Sequence, residues 1–96
     1  MTDDGRLDLL GHALADPTRR RLLRLLRESP GLTTGELAAA VPGLTRWAVM
    51  KHLDALRAAG LVQTLHEGRR RRHYRDPRGL DELFAWLERD RAADGR

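Results

Sequence analysis

Apolar positions recur with a helical period through the first part of the chain. Leucines spaced three and four residues apart predict a helix over residues 7–15. Asp16 and Pro17 then end this helix and start a second one, because Asp caps helices well and Pro is tolerated at the first helical position. The second helix is predicted to extend to about Glu28, with leucines on its inner face and arginines on its outer face.

Two further helices are predicted from their end signals. Thr33 and Glu36 have the spacing of a capping box, in which each side chain binds a backbone N–H at the start of a helix. Thr45 is a suitable N-cap for the next helix, and Gly60 is typical of a helix end. Two short helices joined by a tight turn that contains Gly form a helix-turn-helix, here predicted over residues 33–59.

After Gly60 the apolar period changes from helical to alternating. This change predicts a β-hairpin, or wing, over residues 61–75, with its turn at Glu67 and Gly68. A last helix with an apolar stripe is predicted over residues 80–91. The predicted fold is mainly helical with one β-hairpin: four helices, the hairpin and a fifth helix, which we assign to a single domain.

Composition limits the classes of function. The 96 residues carry a formal net charge of +4 and include no cysteine, which excludes disulfides and thiolate chemistry. All but one of the 18 Lys and Arg residues are arginine, the better bidentate ligand of phosphate and guanine, although a GC-rich genome explains the same bias. The absence of a long apolar run or a signal-like start leads us to expect a cytoplasmic protein that does not bind membranes.

The outer face of the fourth helix combines cations with exposed apolar groups. Arg46 and Lys51 are able to reach guanine or phosphate, and Met50 is able to contact a thymine methyl group. Trp47 either contacts DNA or packs against the preceding helix, and both interpretations stay open. Trp and Met are unusual on an ordinary solvated helix face, so this helix is predicted to enter the major groove of duplex DNA.

The hairpin is strongly cationic, with five arginines within residues 69–75. Such a run is predicted to follow the phosphates, although a charged edge that prevents strand pairing is the alternative. Thr33 and Thr34 lie at a helix start, where backbone N–H groups favour phosphate, and capping alone also explains them. The predicted DNA-binding residues are Thr33, Thr34, Thr45, Arg46, Trp47, Met50, Lys51, Arg69, Arg70, Arg71 and Arg72.

The first and last predicted helices carry apolar residues that a chain this short has few other places to bury. Burial within one chain is the alternative to a self-complementary, two-fold dimer interface, which we predict. Such a dimer would present two recognition helices about one turn of DNA apart and would bind a palindromic site. The predicted interface residues are Leu7, Leu10, Leu14, Leu80, Leu83, Phe84 and Leu87.

Neither catalysis nor a cofactor has support in the sequence. There is no Gly-rich phosphate loop and no recognisable pair of catalytic carboxylates, so we predict that the protein is not an enzyme. His12, His66 and His73 are too scattered for a metal site and are interpreted as surface or interface residues. His52 is interpreted as a packing residue in preference to a base contact.

Several segments together form a specific pattern: residues 13–20, 34–38, 48–53, 59–62 and 67–74, with Leu56. In this pattern the chain resembles the ArsR/SmtB-type bacterial repressors. The resemblance implies a winged helix-turn-helix that dimerises through its first and last helices, binds a palindromic operator and regulates transcription, most often as a repressor.

The chain departs from that family at the positions of its metal ligands. The helix that carries paired cysteines in other members has none here, and the last helix offers only the carboxylates of Asp81, Glu82, Glu88 and Asp90. The chain therefore resembles a cysteine-less group of the family that does not sense metals. A sensor of the same fold for a metal or an unidentified small effector, and a winged-helix module that binds another protein, are the alternatives.

Overall fold

The computed structural model describes residues 3–94, as five helices and a small sheet. The helices are α1 (Asp3–Ala15), α2 (Pro17–Glu28), α3 (Thr34–Ala40), α4 (Arg46–Ala58) and α5 (Asp81–Asp94). The strands are β1 (Leu32–Thr33), β2 (Val62–Glu67) and β3 (Arg70–Arg75), and a 3-10 turn, Pro77–Leu80, precedes α5. The mainly helical fold with a β-hairpin is the one that the sequence predicted. Among these residues, no helix is long and apolar enough to cross a bilayer.

The predicted helix starts are confirmed by their capping hydrogen bonds. The Thr33 hydroxyl accepts from the Glu36 N–H at 3.1 Å, and the Glu36 carboxylate accepts from the Thr33 N–H at 2.9 Å. The Thr45 hydroxyl accepts from the Ala48 N–H at 3.0 Å. Each N-cap of this kind stabilises a helix by about 1 kcal/mol, so local sequence alone sets where α3 and α4 begin. Gly60 follows α4 with a φ of +74°, a conformation that few other residues adopt.

The core of the chain is built around the inner face of α4. Val49, Leu53 and Leu56 lie about one helical turn apart on that face and are fully buried. They belong to a cluster with residues of the other helices and of the segment that enters β2. Its other fully buried large members are Leu10, Leu22, Leu26, Leu37 and Leu61.

Leu10 corrects the predicted dimer interface, because only 1% of its surface is exposed in the single chain. Helix α1 packs on α2, α4 and α5, and Leu10 belongs to the buried core cluster. Of the other predicted interface residues, four are partly buried and pack against the core: Leu7, Leu14, Leu80 and Leu83. More of the apolar stripe of α1 is therefore buried in the core of the single chain than the sequence predicted.

The sheet has three antiparallel strands in the order β1-β3-β2. The predicted hairpin is confirmed, with its turn shifted by one residue to Gly68 and Arg69, so that Arg69 lies in the turn and not in a strand. The φ of Gly68 is +62°, as a tight hairpin turn requires. Strand β1 was not predicted, because two residues are too few for an alternating pattern and their partners on β3 are distant in sequence.

Candidate DNA interface

An open cleft of about 680 Å³ separates the wing, residues 62–75, from the helix-turn-helix. The N-terminal ends of α3 and α4 form one wall, and the turn and start of β3 form the other. The cleft is lined by Thr33, Thr34, Gly35, Glu36, Arg46, Met50, Arg69, Arg70 and Arg71. Four of these nine residues are arginines and one is acidic, so the cleft presents a net positive surface.

The predicted contact residues of α4 all face outward. Arg46, Trp47, Met50 and Lys51 are exposed on the side opposite the buried face of the helix. The Arg46 guanidinium lies over Gly35, where an added Cβ would stand 3.8 Å from the arginine Cζ. An added side-chain carbon would make only ordinary van der Waals contact there, so Arg46 lies beside Gly35 at the edge of the cleft without depending on the glycine.

Trp47 is 69% exposed, so it does not pack into the core. The ammonium group of Lys51 lies 5.4 Å from the centre of the indole ring, one helical turn away. This distance is within the range of a cation–π interaction. The ring and the cation therefore form one amphipathic unit on the surface of α4.

The three threonines of the predicted set have different roles. Thr33 and Thr45 cap helices, and each hydroxyl that accepts a backbone hydrogen bond keeps its own proton for donation to another group. Thr34 instead is only 8% exposed, and its Oγ1 lies 2.8 Å from Nε2 of His73. The Thr34 hydroxyl therefore faces the interior, which revises its predicted place among the DNA-contacting side chains.

The arginines of the wing also divide into two groups. Arg69, Arg70 and Arg71 are exposed and line the cleft. Arg72 is half-buried: its Nη1 donates to the Gly31 carbonyl at 3.0 Å and its Nε to Glu67 at 3.2 Å. The structure thus places three of the four predicted arginines at the cleft. The fourth, Arg72, joins the wing to the turn before β1 by a hydrogen bond.

Glu36 is the one carboxylate among the residues that line the cleft. The backbone hydrogen bond from Thr33 holds the pKa of Glu36 below its usual value, so the side chain is ionised. The sequence pattern assigns Glu36 to capping alone. Its position adds a negative charge that disfavours phosphate at this point of the cleft and is able to accept a hydrogen bond from a base amino group.

His73 is a residue whose role the sequence analysis missed. The interpretation as a surface or interface histidine is wrong, because His73 is only 1% exposed and hydrogen-bonded at both ring nitrogens. The alternation of the hairpin gives little signal, because it places residue 73 on the strand face opposite the apolar Tyr74 and so predicts an outward ring. The packing interpretation of His52 is supported, because its Nδ1 accepts from Arg19 Nε at 3.2 Å.

A second exposed surface lies on α5, which packs on α1 and on the 3-10 turn. Phe84 is 58% exposed, and Trp86 and Leu87 are 40% and 46% exposed. Trp86 was not among the predicted interface residues, because its spacing places it to the side of the leucine stripe. Among the side chains that the structure describes, no three His, Asp or Glu residues come together as metal ligands do.

Fold and site define a class of protein: a helix-turn-helix with a cationic β-hairpin beside it is a winged helix-turn-helix DNA-binding domain. Comparison with known proteins agrees. The profile of a protein family described as a helix-turn-helix domain matches residues 14–64. The chain belongs to the winged helix-turn-helix transcriptional regulators of the ArsR family.

Similar proteins include two regulators of Mycobacterium tuberculosis. The HTH-type transcriptional regulator CmtR is 47% identical over 70 residues, which cover 73% of this chain and 58% of CmtR. This chain therefore matches little more than half the length of CmtR. The HTH-type transcriptional regulator Rv2034 is 43% identical over 82 residues, covering 85% of this chain and 75% of Rv2034.

Solved structures with the same fold include an ArsR-like transcriptional regulator from Rhodococcus sp. RHA1. It superposes with a TM-score of 0.82 at 34% identity, covering 97% of this chain and 85% of the other. The homodimeric winged helix-turn-helix DNA-binding domain of Mb0332 from Mycobacterium bovis superposes with a TM-score of 0.71 at 26% identity, covering 96% and 85%.

Proposed function

We propose that this protein is a transcriptional repressor that binds a palindromic operator in duplex DNA as a homodimer, in the cytoplasm and without enzymatic activity. The observation that carries the proposal is the cleft, where the outer face of α4 and three arginines of the wing converge. A recognition helix and a basic hairpin on the same side of the molecule are able to contact base edges and the adjacent backbone together.

Each part of this surface fits a different part of a duplex. Arg46 is able to bind guanine O6 and N7 in the major groove, and Lys51 to bind phosphate or guanine. Arg70 and Arg71 extend from the wing, where cations follow the phosphates. If a dimer neutralises ~6–10 phosphates, its affinity falls by ~10³–10⁵-fold between 50 and 200 mM salt.

The apolar groups on α4 fit the major groove as well. Trp47 and Met50 are exposed among cations, and a duplex presents phosphates and guanines to those cations beside the apolar groups of its bases. The apolar group that base pairs present in the major groove is the methyl group of thymine. This surface therefore favours DNA over a protein partner.

Dimerisation is supported by the exposed apolar residues of α5. Phe84, Trp86 and Leu87 form a surface that water disfavours, and it lies on the helix that packs against α1. The Mb0332 domain, which shares the fold, is homodimeric. A two-fold axis through α5 would present two copies of α4 to one face of the DNA, and a palindromic site matches that symmetry.

Fluorescence anisotropy with a labelled duplex, enriched by the protein from a randomised library, tests the proposal. We expect enrichment of a palindrome, tight binding at low salt and a steep loss of affinity as salt rises. Arg70→Ala should weaken binding to all duplexes and make the salt dependence less steep. Arg24→Ala, which removes the same charge from the exposed face of α2, away from the residues that line the cleft, is the matched control. Absence of binding to any duplex at low salt would contradict the proposal.

A further inference from the structure

His73, itself buried, lies at the centre of a hydrogen-bond chain that joins the wing to both helices of the helix-turn-helix. From α4, Arg57 Nη1 donates to the Thr64 hydroxyl on β2 at 2.9 Å. Thr64 Oγ1 lies 2.8 Å from Nδ1 of His73 on β3. On the other side of the ring, Nε2 lies 2.8 Å from Oγ1 of Thr34, the first residue of α3.

The chemistry of the four groups gives this chain a direction. An arginine only donates, so the Thr64 hydroxyl accepts from Arg57 and is free to donate its own proton to Nδ1 of His73. A neutral imidazole that accepts at Nδ1 carries its proton on Nε2, which then donates to Thr34. Burial, with the nearby cations Arg57 and Arg71 and with His66, lowers the pKa of His73 from 6.5 to about 4, which keeps the ring neutral.

The position of the chain relates it to the cleft. Thr34 lines the cleft on the helix side, and Arg71, two residues from His73 along β3, lines it on the wing side. The His73 ring therefore connects Thr34 on the helix side of the cleft with the strand that carries Arg71. Hydrogen bonds have preferred angles as well as distances, so a ring bonded at both nitrogens limits how far β3 is able to turn relative to α3.

Few other described contacts hold the wing against α3. Strand β1 contributes two residues to the sheet, and the Gly31 N–H donates to the His73 carbonyl at 2.9 Å. Arg72 adds its bond to the Gly31 carbonyl. These contacts hold the backbone of β3 against β1 and the turn before it. The His73 ring instead binds α3 directly, and binds α4 through Thr64 and Arg57.

We propose that His73 is a positioning residue for DNA binding, whose two ring hydrogen bonds hold the wing at the angle at which its arginines and α4 engage the same duplex. This inference rests on the proposed function. An apolar side chain of similar size would fill the same space but would leave the hydroxyl groups of Thr34 and Thr64 without this partner, and would remove the restraint that the ring places on the angle of the wing.

Paired substitutions separate positioning from a purely structural role. Thr64→Val keeps the volume of the side chain and removes its hydroxyl, whereas Thr64→Ser keeps the hydroxyl and is the control. His73→Gln and His73→Leu test the ring itself in the same way, since Gln retains a donor near the position of Nε2. For each variant we would measure thermal unfolding and the affinity for the enriched duplex over a range of salt concentrations.

If His73 positions the wing, Thr64→Val should weaken binding by about tenfold. The slope of log affinity against log salt should become less steep by about 1 for each phosphate that the wing no longer reaches. Thr64→Ser should retain both the affinity and the slope, and His73→Gln should lie between His73→Leu and the unmodified protein. A merely structural role would lower the unfolding temperature while leaving the slope of the folded protein unchanged, and that result would overturn the inference.

The two proposals fail in different ways. An unmodified protein that ignores every duplex contradicts the proposed function and, with it, this inference. An unmodified protein that binds tightly, beside a folded Thr64→Val variant with the same salt slope, contradicts the role of His73 alone. If His73→Leu does not fold, the Thr64 pair, in which the ring is retained, decides between the two roles.

Discussion

Helices α4 and α5 are similar in length, with 13 and 14 residues, yet they use their exposed faces differently. Helix α4 buries three large residues and exposes Trp47 and Met50 beside Arg46 and Lys51. None of the described side chains of α5 is fully buried, and its exposed apolar residues stand among charges of both signs. Apolar groups among cations match a DNA groove, whereas apolar groups among mixed charges match a second protein surface.

The largest expected effect comes from placing a charge on the apolar surface of α5. Phe84→Asp should yield monomers, because it would bury a carboxylate in the proposed interface. A monomer contacts one half-site, so affinity for the palindrome should fall by about a hundredfold to ten-thousandfold. Light scattering gives the mass and anisotropy gives the affinity. Arg24→Asp on the exposed face of α2 is the control, and a Phe84→Asp variant that remains dimeric would show that this surface is not the interface.

A smaller effect is expected from the corresponding change on α4. Arg46→Ala should cost about 1–3 kcal/mol in binding to the enriched duplex if the guanidinium reads a guanine. Binding to a scrambled duplex should change much less, since phosphate contacts remain. Competition between the two duplexes measures the ratio. Equal losses for both would place Arg46 on the backbone and remove its role in sequence recognition.

Lowering the pH should destabilise the folded protein through His73, whose ring is connected to α4 through Thr64 and Arg57. The folded protein holds this ring neutral down to a pKa of about 4, whereas the unfolded chain takes up a proton near 6.5. The contribution of the neutral His73 ring to the free energy of unfolding is therefore complete above about pH 6.5. It is lost as the pH falls and changes no further below about pH 4. From about pH 7.5 to about pH 5 the contribution of this residue should fall by about 2 kcal/mol.

Denaturant unfolding at a series of pH values measures this loss. His73→Gln does not titrate, so it should remove most of the pH dependence between about pH 5 and about pH 6.5, a range above the usual pKa of the carboxylates. An unmodified protein whose stability is flat across that range would contradict a buried neutral histidine.

The smallest expected effect concerns the apolar groups of α4. Replacing single thymines of the enriched duplex by uracil removes one methyl group and leaves the hydrogen bonds of the base pair unchanged. A methyl group in contact with Met50 or Trp47 should contribute about 0.8 kcal/mol or less. The Met50→Ala variant should lose sensitivity to the same substitution. If no thymine matters, these two residues do not read methyl groups.

Local signals made much of the helix-turn-helix predictable from sequence. Thr33, Thr45 and Gly60 act within a few residues of their own positions, and the structure confirms the helix starts and end that they predicted. The outward direction of the cations on α4 followed from helical periodicity alone. The residue types of the cleft were therefore largely visible in the sequence, although their DNA contacts remain predictions.

Long-range contacts were not predictable in this way. Strand β1 and the hydrogen bonds of His73 and Arg72 to the turn and to α3 depend on partners 39 to 41 residues apart in the chain. An apolar stripe shows that one face of a helix is buried, but it does not show whether the same chain or a second copy buries it. The pattern of α1 alone therefore placed Leu10 in a dimer interface, whereas the single chain already buries it. A run of arginines likewise does not reveal that Arg72 bonds to Gly31 while its neighbours stay exposed.

A hydroxyl-radical footprint of the protein on its enriched duplex tests the proposed roles of α4 and α5 together. If α4 binds DNA and α5 binds a second copy, the backbone should be protected in two symmetric patches about one helical turn apart, or a multiple of it. Equal protection of both half-sites at the same protein concentration is the predicted result. One isolated patch, or no protection at low salt, would contradict the account.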